Sequence, residues 1–311
     1  MLEIQQLSIE FPTKDKVIRP VENVWITVED GVRHLIVGET GSGKSVLLMS
    51  ILGLSGGCVQ GSILWNGKNL LELSKKEMAG LRGREISYIP QGNANGLNPL
   101  IKVGHQIGEP LTVHSSVSKK EAFKKAVEAL KRMDFAQAEH WARSYPHRLS
   151  GGMKQRALVA MGTIAGSSFL LADEPTKGLD ENRREEVERL FLSLEGATLL
   201  CVTHDLEFAN HVADRISVMY AGEIVETADK EDFFCEPLHP YSRMLIESLP
   251  QNGFQFCEGF APSHYEYESV GCRFAARCPM AGETCRRRPP LVTYKGRQVQ
   301  CWNYAENTES E

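Results

Sequence analysis

Long apolar runs are missing from this sequence: nowhere do apolar residues approach the ~20 in succession that a bilayer-spanning helix needs. The first residues, MLEIQQLSIEFPTKDK, lack the apolar core of a secretory signal. Together these absences predict a cytoplasmic chain whose membrane role, if it has one, comes through partners. A surplus of positive charge is missing too. At a net charge of −5 and a pI near 6.0, the chain is not built to coat nucleic acid, and no nucleic-acid partner is expected. No internal repeat is visible, so one functional unit is expected per chain. What remains is ordinary for a soluble globular protein, with 42% hydrophobic and 24% charged residues. The length of 311 residues suits one large α/β domain with an appendage, or two modest domains.

The densest signal is HLIVGETGSGKSVLLMSILGL. His34 to Val37 read as a buried strand, and an apolar helix follows the loop. Between them Gly38, Gly43, Lys44 and Ser45 complete the G-x-x-x-x-G-K-[ST] pattern in the strand–loop–helix context that it needs. The loop runs through Gly38, Glu39, Thr40, Gly41, Ser42, Gly43, Lys44, Ser45 and Val46. Its glycines let consecutive backbone N–H groups converge on phosphate oxygens, and the helix adds the positive end of its dipole. Lys44 is a point charge for β- and γ-phosphates, and Ser45 offers a hydroxyl to Mg²⁺. A chance glycine-rich turn is the competing explanation.

A second apolar strand, SSFLLADEPT, ends in Asp173 and Glu174. Adjacent carboxylates at the tip of a hydrophobic strand are costly unless a cation uses them. Asp173 is placed to reach the Mg²⁺ shell and Glu174 to polarise an attacking water; a strand that merely ends in solvent is the bland alternative. TLLCVTHD is a third buried strand, ending at His204, which can face the γ-phosphate. LSGGMKQR precedes a helix, and Ser150, Gly151 and Gly152 form a second anion-binding helix start, with a hydroxyl, two unobstructed amides and a dipole. A second phosphate cradle is redundant in a monomer. It makes sense when two such domains face each other head to tail, each closing the other's nucleotide.

GETGSGKS, LSGGMKQR, LLADEPT and VTHD stand in the order and at the spacings of ABC-transporter ATPase subunits, which the chain resembles over roughly residues 1–250. The resemblance implies an α/β fold: a P-loop NTPase (RecA-like) core with an antiparallel β subdomain and a helical signature subdomain. It implies ATP and Mg²⁺ as cofactors and Glu174, His204, Lys44 and Gln91 as catalytic residues. Gln91, in SYIPQGNANGLNPL, matches the Q-loop glutamine that contacts Mg²⁺ and senses the membrane partner. Asp180 in KGLD matches the D-loop, and Phe11 matches the aromatic that stacks on adenine, although a strand-end core residue also explains Phe11. Lys177 departs from the family pattern, where small or hydroxyl residues are common, and bears on the subunit-facing D-loop.

CEPLHPYSRMLIESLP follows a hairpin, RISVMYAGEIVETAD, with Gly222 at its turn. This His-Pro-Tyr segment resembles the oligopeptide/dipeptide/nickel importer ATPases. GCRFAARCPMAGETC, with Cys301 in VQCW, resembles that branch's C-terminal extension. Of eight cysteines, Cys58, Cys201, Cys235 and Cys257 are scattered and read as small buried hydrophobes or inert thiols. Cys272, Cys278, Cys285 and Cys301 cluster, with five, six and fifteen residues between them. In a reducing compartment a cluster points to a metal site before a disulfide set. The short knuckles of structural zinc are absent, and the longer wrap suits a [4Fe–4S] cube, which the resemblance implies for some members of the branch. Zinc, and a compact plug of free thiols or disulfides, stay open. Arg273, Arg277, Arg286, Arg287, Arg288, Lys295 and Arg297 would offset an anionic cluster or form a solvated face. No aromatic-interleaved module supports a nucleic-acid patch.

Residues 1–90 are expected to hold the antiparallel β portion and the start of the nucleotide core. Residues 92–150 read as a mainly helical insert. Within it, 92–107 is Gly- and Asn-rich and reads as a mobile loop. KKEAFKKAVEALKRMDF reads as a packed surface helix with Ala122, Phe123, Ala126, Val127, Leu130 and Met133 inward. The expected domains are an ATP-binding domain over 1–250, with its helical subdomain at about 92–150, and a cysteine-rich regulatory or cluster-binding extension over 251–311. The resemblance implies a peripheral motor subunit on the cytoplasmic face of the membrane. Its expected partners are a second ATPase subunit, two transmembrane permease subunits and an extracytoplasmic substrate-binding protein. Peptides, or nickel or a metal chelate, are the expected cargo. The other reading is a soluble ATPase serving a cytoplasmic enzyme complex of the carbon–phosphorus-lyase type.

Overall fold

The structure, a computed structural model, describes residues 1–91, 96–194, 196–253, 259–267 and 270–305. Its strands are β1 (Leu2–Pro12), β2 (Val17–Val28), β3 (Arg33–Val37), β4 (Cys58–Trp65), β5 (Lys68–Asn69), β6 (Ile86–Ile89), β7 (Phe169–Asp173), β8 (Thr198–Thr203), β9 (Arg215–Tyr220), β10 (Glu223–Asp229), β11 (Val292–Tyr294) and β12 (Arg297–Val299). Its α-helices are α1 (Lys44–Ile51), α2 (Lys75–Leu81), α3 (Val103–His114), α4 (Lys119–Arg132), α5 (Ala138–Ala142), α6 (Gly151–Thr163), α7 (Glu181–Leu192), α8 (Leu206–Val212), α9 (Lys230–Cys235), α10 (Pro240–Glu247) and α11 (Trp302–Ala305). The chain divides into two compact units. The first comprises Met1–Glu29, Arg33–Glu72 and the described residues from Val202 onward; the second comprises Asp30–Val32 and Leu73–Cys201. Among the described residues no helix is long and apolar enough to cross a membrane.

The first unit contains an antiparallel sheet of order β2-β1-β4-β5, the β portion expected from residues 1–90. Strand β1 buries Leu2, Ile4, Leu7 and Ile9. The alternation slips once, at Gln6 (φ 51°), where the register against β4 shifts between Gln5 and Ser8. This bulge keeps the second pair of apolar side chains on the buried face. The unit's other sheet strands run β11-β12-β10-β9-β3. β3 lies parallel to β9, with His34 opposite Arg215 and Val37 opposite Val218. β9 and β10 form the expected hairpin. It turns at Ala221 (φ 47°) and Gly222 (φ 89°), two successive left-handed residues that match the right-handed twist of the strands.

The tail belongs to the same sheet. β12 pairs antiparallel with β10, Glu226 opposite Val299, and β11 closes on β12. The exposed edge is thereby moved to a strand of three residues, a short edge that gives little template for foreign pairing. Within β10, Glu226 is completely buried. Its carboxylate accepts the N–H groups of Leu238 (2.9 Å) and His239 (2.8 Å). This fixes the entry to α10, where Pro240 takes the first helical position that proline favours.

In the second unit β6 and β7 pair in parallel, Ile86 opposite Phe169 and Ile89 opposite Ala172, with β8 beside β7. Every residue of β7 is buried, which is why it reads as a continuous apolar run. α4 is the expected amphipathic helix: Ser118 caps it by accepting the Glu121 N–H, and Ala122, Ala126, Val127 and Leu130 are buried. The expected loop at 92–107 is corrected in part. Residues 92–95 lie outside the described residues, but α3 already starts at Val103, with Val103, Ile107 and Leu111 buried. Its glycines serve packing. A Cβ on Gly104 would lie 2.8 Å from the Ala142 Cβ, and one on Gly108 would lie 2.9 Å from the Ala122 carbonyl oxygen.

Candidate nucleotide site

β3 carries the chain into the phosphate loop, and α1 begins at Lys44. Two glycines are required there by close approach. A Cβ on Gly38 would lie 2.1 Å from the Met219 carbonyl oxygen, and one on Gly43 (φ 105°) would lie 2.0 Å from that of Pro20; neither space nor backbone conformation admits a side chain. Lys44 is buried, and its ammonium donates to Gly38 O (2.7 Å), Glu39 O (3.0 Å) and Ser42 Oγ (3.4 Å). The Ser42 N–H donates to Glu39 O (3.2 Å), and Ser42 O accepts the Gly222 N–H (2.9 Å). The loop therefore curls around its own lysine and is tied to the β9–β10 turn. Thr40, Gly41 and Ser45 are exposed and Val46 is half-buried. No side chain caps the N-terminus of α1, so its dipole end is kept for an anion.

The outer side of the loop is held by residues that sequence reasoning missed. The Glu39 N–H donates to the Tyr241 hydroxyl (3.0 Å), and both carboxylate oxygens of Glu39 accept from the Arg277 guanidinium at 2.9 Å. The Tyr267 hydroxyl donates to Gly41 O (2.6 Å). Beneath them Tyr220, Tyr241 and Phe274, all buried, pack with ring centroids 4.6–5.4 Å apart. Tyr241 is the tyrosine of the His-Pro-Tyr segment and could have been flagged from it. Tyr267 carries no local signal, and Arg277 reads from the sequence only as one of the tail's basic residues. His204, exposed just after β8, and Phe11, half-buried in β1 opposite Ile18, also lie in this unit.

The second unit holds the carboxylates. Asp173 and Glu174 are 5% and 7% exposed, and the Tyr88 hydroxyl donates to Asp173 Oδ2 (3.3 Å). Burial, and then the Asp173 charge, push the Tyr88 phenol up. Burial likewise raises the Cys201 thiol, with Glu174 and Asp173 adding to it. Two carboxylates are thus buried side by side at the end of β7. Glu174 also has φ 47°, the left-handed conformation that a non-glycine residue adopts only under constraint. Turn bonds from Lys177 N–H to Glu174 O (3.2 Å) and Leu179 N–H to Thr176 O (3.1 Å) hold it. Gln91 is half-buried, two residues past β6. Ser150 caps α6, its Oγ accepting the Met153 N–H (3.3 Å). Gly151 is exposed, while a Cβ on Gly152 would lie 2.9 Å from Arg183 Cδ. Arg183 in turn pairs with Asp180 (3.2 Å), which caps α7. One arginine thus joins the signature segment to the D-loop.

In the tail, Cys272, Cys278, Cys285 and Cys301 are half-buried and form no disulfide. Burial raises the Cys272 thiol to about 11, with Cys285 and Cys301 adding to it. Burial also raises Cys278, with Cys285 adding, and Cys301, with Cys278 and Cys285 adding. The four thiols share one neighbourhood. Among the described residues, however, no three His, Cys, Asp or Glu side chains are placed to hold a metal ion. The donor set fits a cluster in kind, but not in its placement among the described residues. The scattered cysteines divide: Cys201 is buried, Cys58 and Cys235 are exposed, and Cys257 lies outside the described residues.

Four of the tail's seven basic residues are tied to carboxylates of the same unit and are not a solvated face. Arg273 pairs with Glu22 and donates to Ala221 O. Arg288 bridges Glu22 (3.0 Å) and Glu223 (2.9 Å). Arg297 and Lys295 meet Glu236 (3.4 and 3.6 Å). Arg286, 82% exposed at its side chain, Arg287, over the Trp302 ring, and Lys295, 57% exposed, fit the solvated reading.

With this geometry in hand, the class is defined: the chain belongs to the ABC transporter family, which matches residues 21–177, and it is an ATPase of that family. A second family, described as the oligopeptide/dipeptide transporter C-terminal region, matches residues 225–285. The chain is similar to the oligopeptide transport ATP-binding protein AppD of Bacillus subtilis, 39% identical over 98% of this chain and 97% of that one. It is similar to the dipeptide transport ATP-binding protein DppD of the same organism, 38% identical over 99% and 96%. The oligopeptide transport ATP-binding protein OppD of Salmonella typhimurium is 35% identical over 98% and 94%. Among solved structures, a dimeric post-hydrolysis state of the ATP-binding cassette MJ0796 bound to ADP and Pi matches with a TM-score of 0.68 at 27% identity, over 74% of this chain and 99% of that one.

Proposed function

We propose that this chain is the ATP-hydrolysing motor subunit of a membrane importer for peptides. The observation that carries the proposal is the joining, in one chain, of a complete phosphate loop to a C-terminal segment matching the oligopeptide/dipeptide family. The relatives above are named for oligopeptide and dipeptide transport; none of these three is named for nickel or for an enzyme complex, so neither of those readings is favoured.

Lys44 and the loop amides bind the β- and γ-phosphates, and Phe11 receives the adenine. Ser45, Gln91 and Asp173 are the Mg²⁺ ligands; the bound metal neutralises charge on the transferring phosphoryl group. Glu174 orients the attacking water, and its burial beside Asp173 at the end of β7 supports this. His204 contacts the γ-phosphate, and Ser150, Gly151, Gly152 and Asp180 serve the nucleotide of a facing ATPase. The ATP-binding domain is assigned to 1–250, its helical subdomain to about 92–150, and the extension to 251–311. The subunit sits on the cytoplasmic face with a second ATPase chain, two permease subunits and an extracytoplasmic binding protein; the dimeric state of MJ0796 supports the pairing. In liposomes holding the assembled importer, peptide uptake should require ATP, and Glu174→Gln should bind ATP without turnover or uptake. Normal hydrolysis by that variant overturns the assignment.

A finer reading assigns the four tail cysteines to a [4Fe–4S] cluster, with zinc as runner-up. The shared neighbourhood of the thiols supports it, and the lack, among the described residues, of a side-chain group placed to hold a metal ion opposes it. Anaerobic purification with iron and zinc assays decides: a metal-free protein that is folded and active ends this reading.

A further inference from the structure

We propose that the tail is a positioning device for the phosphate loop, with Arg277 and Tyr267 holding Glu39 and Gly41 in the geometry that receives nucleotide. The proposal rests on the ATPase reading and adds to it two residues outside every nucleotide motif.

Three contacts converge on the loop's first half. Arg277 grips the Glu39 carboxylate through both of its terminal nitrogens at 2.9 Å, the fork geometry that fixes direction as well as distance. Its side chain is only 7% exposed, and its guanidinium lies over the Tyr220 and Phe274 rings, so it is itself immobilised. Tyr267 donates to Gly41 O at 2.6 Å, and its ring is backed by the Arg273 guanidinium, which is anchored to Glu22 and Ala221 O. Tyr241 takes the Glu39 N–H. In a trans peptide the C=O and the following N–H point in opposite directions. Tying Gly41 O outward to Tyr267 and Ser42 O outward to Gly222 therefore turns the N–H groups of Ser42 and Gly43 the other way, toward the lysine side of the loop. Loss of the outer ties lets these peptides rotate, and the cradle must then be reordered at each binding event.

Nucleotide affinity is thus the quantity that the clamp controls. The test uses the full chain, fluorescent trinitrophenyl-ATP for affinity and steady-state hydrolysis for kcat and KM. Arg277→Met should weaken binding and raise KM by about tenfold and Tyr267→Phe by about threefold, with kcat within about twofold, because the clamp acts before chemistry. Arg277→Lys, which keeps the charge but not the fork, should fall between Arg277→Met and wild type. With Glu39→Gln already in place, Arg277→Met should add less than about twofold; full additivity overturns the proposal. So do unchanged affinities in variants whose circular dichroism and melting match wild type. Should Arg277→Met fail to fold, Tyr267→Phe, which removes a single hydroxyl, decides alone. A wild-type chain that binds no nucleotide sinks the ATPase reading and the clamp with it; a wild type that binds, beside variants that bind equally, sinks only the clamp.

Discussion

Acidification should loosen the join between the core sheet and the tail through His239. The ring is 1% exposed, its Nδ1 accepts the Tyr241 N–H at 3.1 Å, and it packs against Phe274. Burial lowers its pKa to about 3. The folded protein therefore keeps the ring neutral, with Nδ1 free of a proton, while the unfolded chain takes one up below about pH 6.5. The stability this ring contributes is complete above that value and is lost as the pH falls toward the folded pKa. Within the window the loss is about 1.4 kcal/mol per pH unit, or about 2 kcal/mol between about pH 6.5 and 5. His34, buried with a pKa also lowered to about 3, adds a parallel loss. Glu223 and Glu226, raised by burial, act in the opposite sense, since they favour the folded state while protonated. A wild-type profile mixes these groups, and the difference from His239→Asn isolates one. Asparagine keeps a capping acceptor but does not titrate; its smaller side chain should cost about 1–3 kcal/mol at every pH. In urea titrations the gap between wild type and variant should shrink by about 2 kcal/mol from about pH 6.5 to 5. A gap that stays constant refutes the argument that this ring must remain neutral to cap α10.

Gly43→Ala would press a methyl group to within 2.0 Å of Pro20 O, so the loop must shift by an amount that overpacked sites resist at about 1–3 kcal/mol; trinitrophenyl-ATP titration should show binding weakened by more than about tenfold. Glu226→Gln should turn an amide NH₂ toward the backbone N–H of Leu238 or His239, a buried mismatch worth about 1–3 kcal/mol; thermal melting checks the loss, and limited proteolysis should cut earlier between β10 and α10. Ser150→Ala removes the cap of α6, about 1 kcal/mol of stability. If the hydroxyl also serves a facing nucleotide, steady-state ATPase of the paired subunits should drop by far more than melting does.

The phosphate loop, β7, β8 and the β9–β10 hairpin were legible because each is set by residues close in sequence: an apolar run, a glycine pair, a turn. α3 was hidden by the very glycines that let it pack, since Gly104 and Gly108 read locally as loop residues and act only once Ala142 and Ala122 are beside them. β11 and β12, three residues each, are too short for alternation to register. Their existence depends on β10 offering an edge, a fact with no trace in the sequence around Lys295 and Gly296. Likewise, Asp173 and Glu174 could be named from the strand they end, but the left-handed backbone of Glu174 could not.

The basic tail was misread for a reason that bears on the site itself. Within the motif, position 39 is unconstrained, and a carboxylate there is a poor choice on its own: a fixed negative charge beside a cradle for a triphosphate opposes the ligand. Arg277, 238 residues away, neutralises that charge through a bidentate pair and makes it a handle instead. The arginine is equally unexplained alone, because its side chain is nearly buried and an unpaired buried guanidinium is costly. Each residue makes sense only with the other, so removing Arg277 should harm nucleotide binding more than removing both charges together. A charge run in a tail therefore need not report on what the tail binds; here its acidic complement lies in the phosphate loop, in β2 and β10, and at Glu236 after α9.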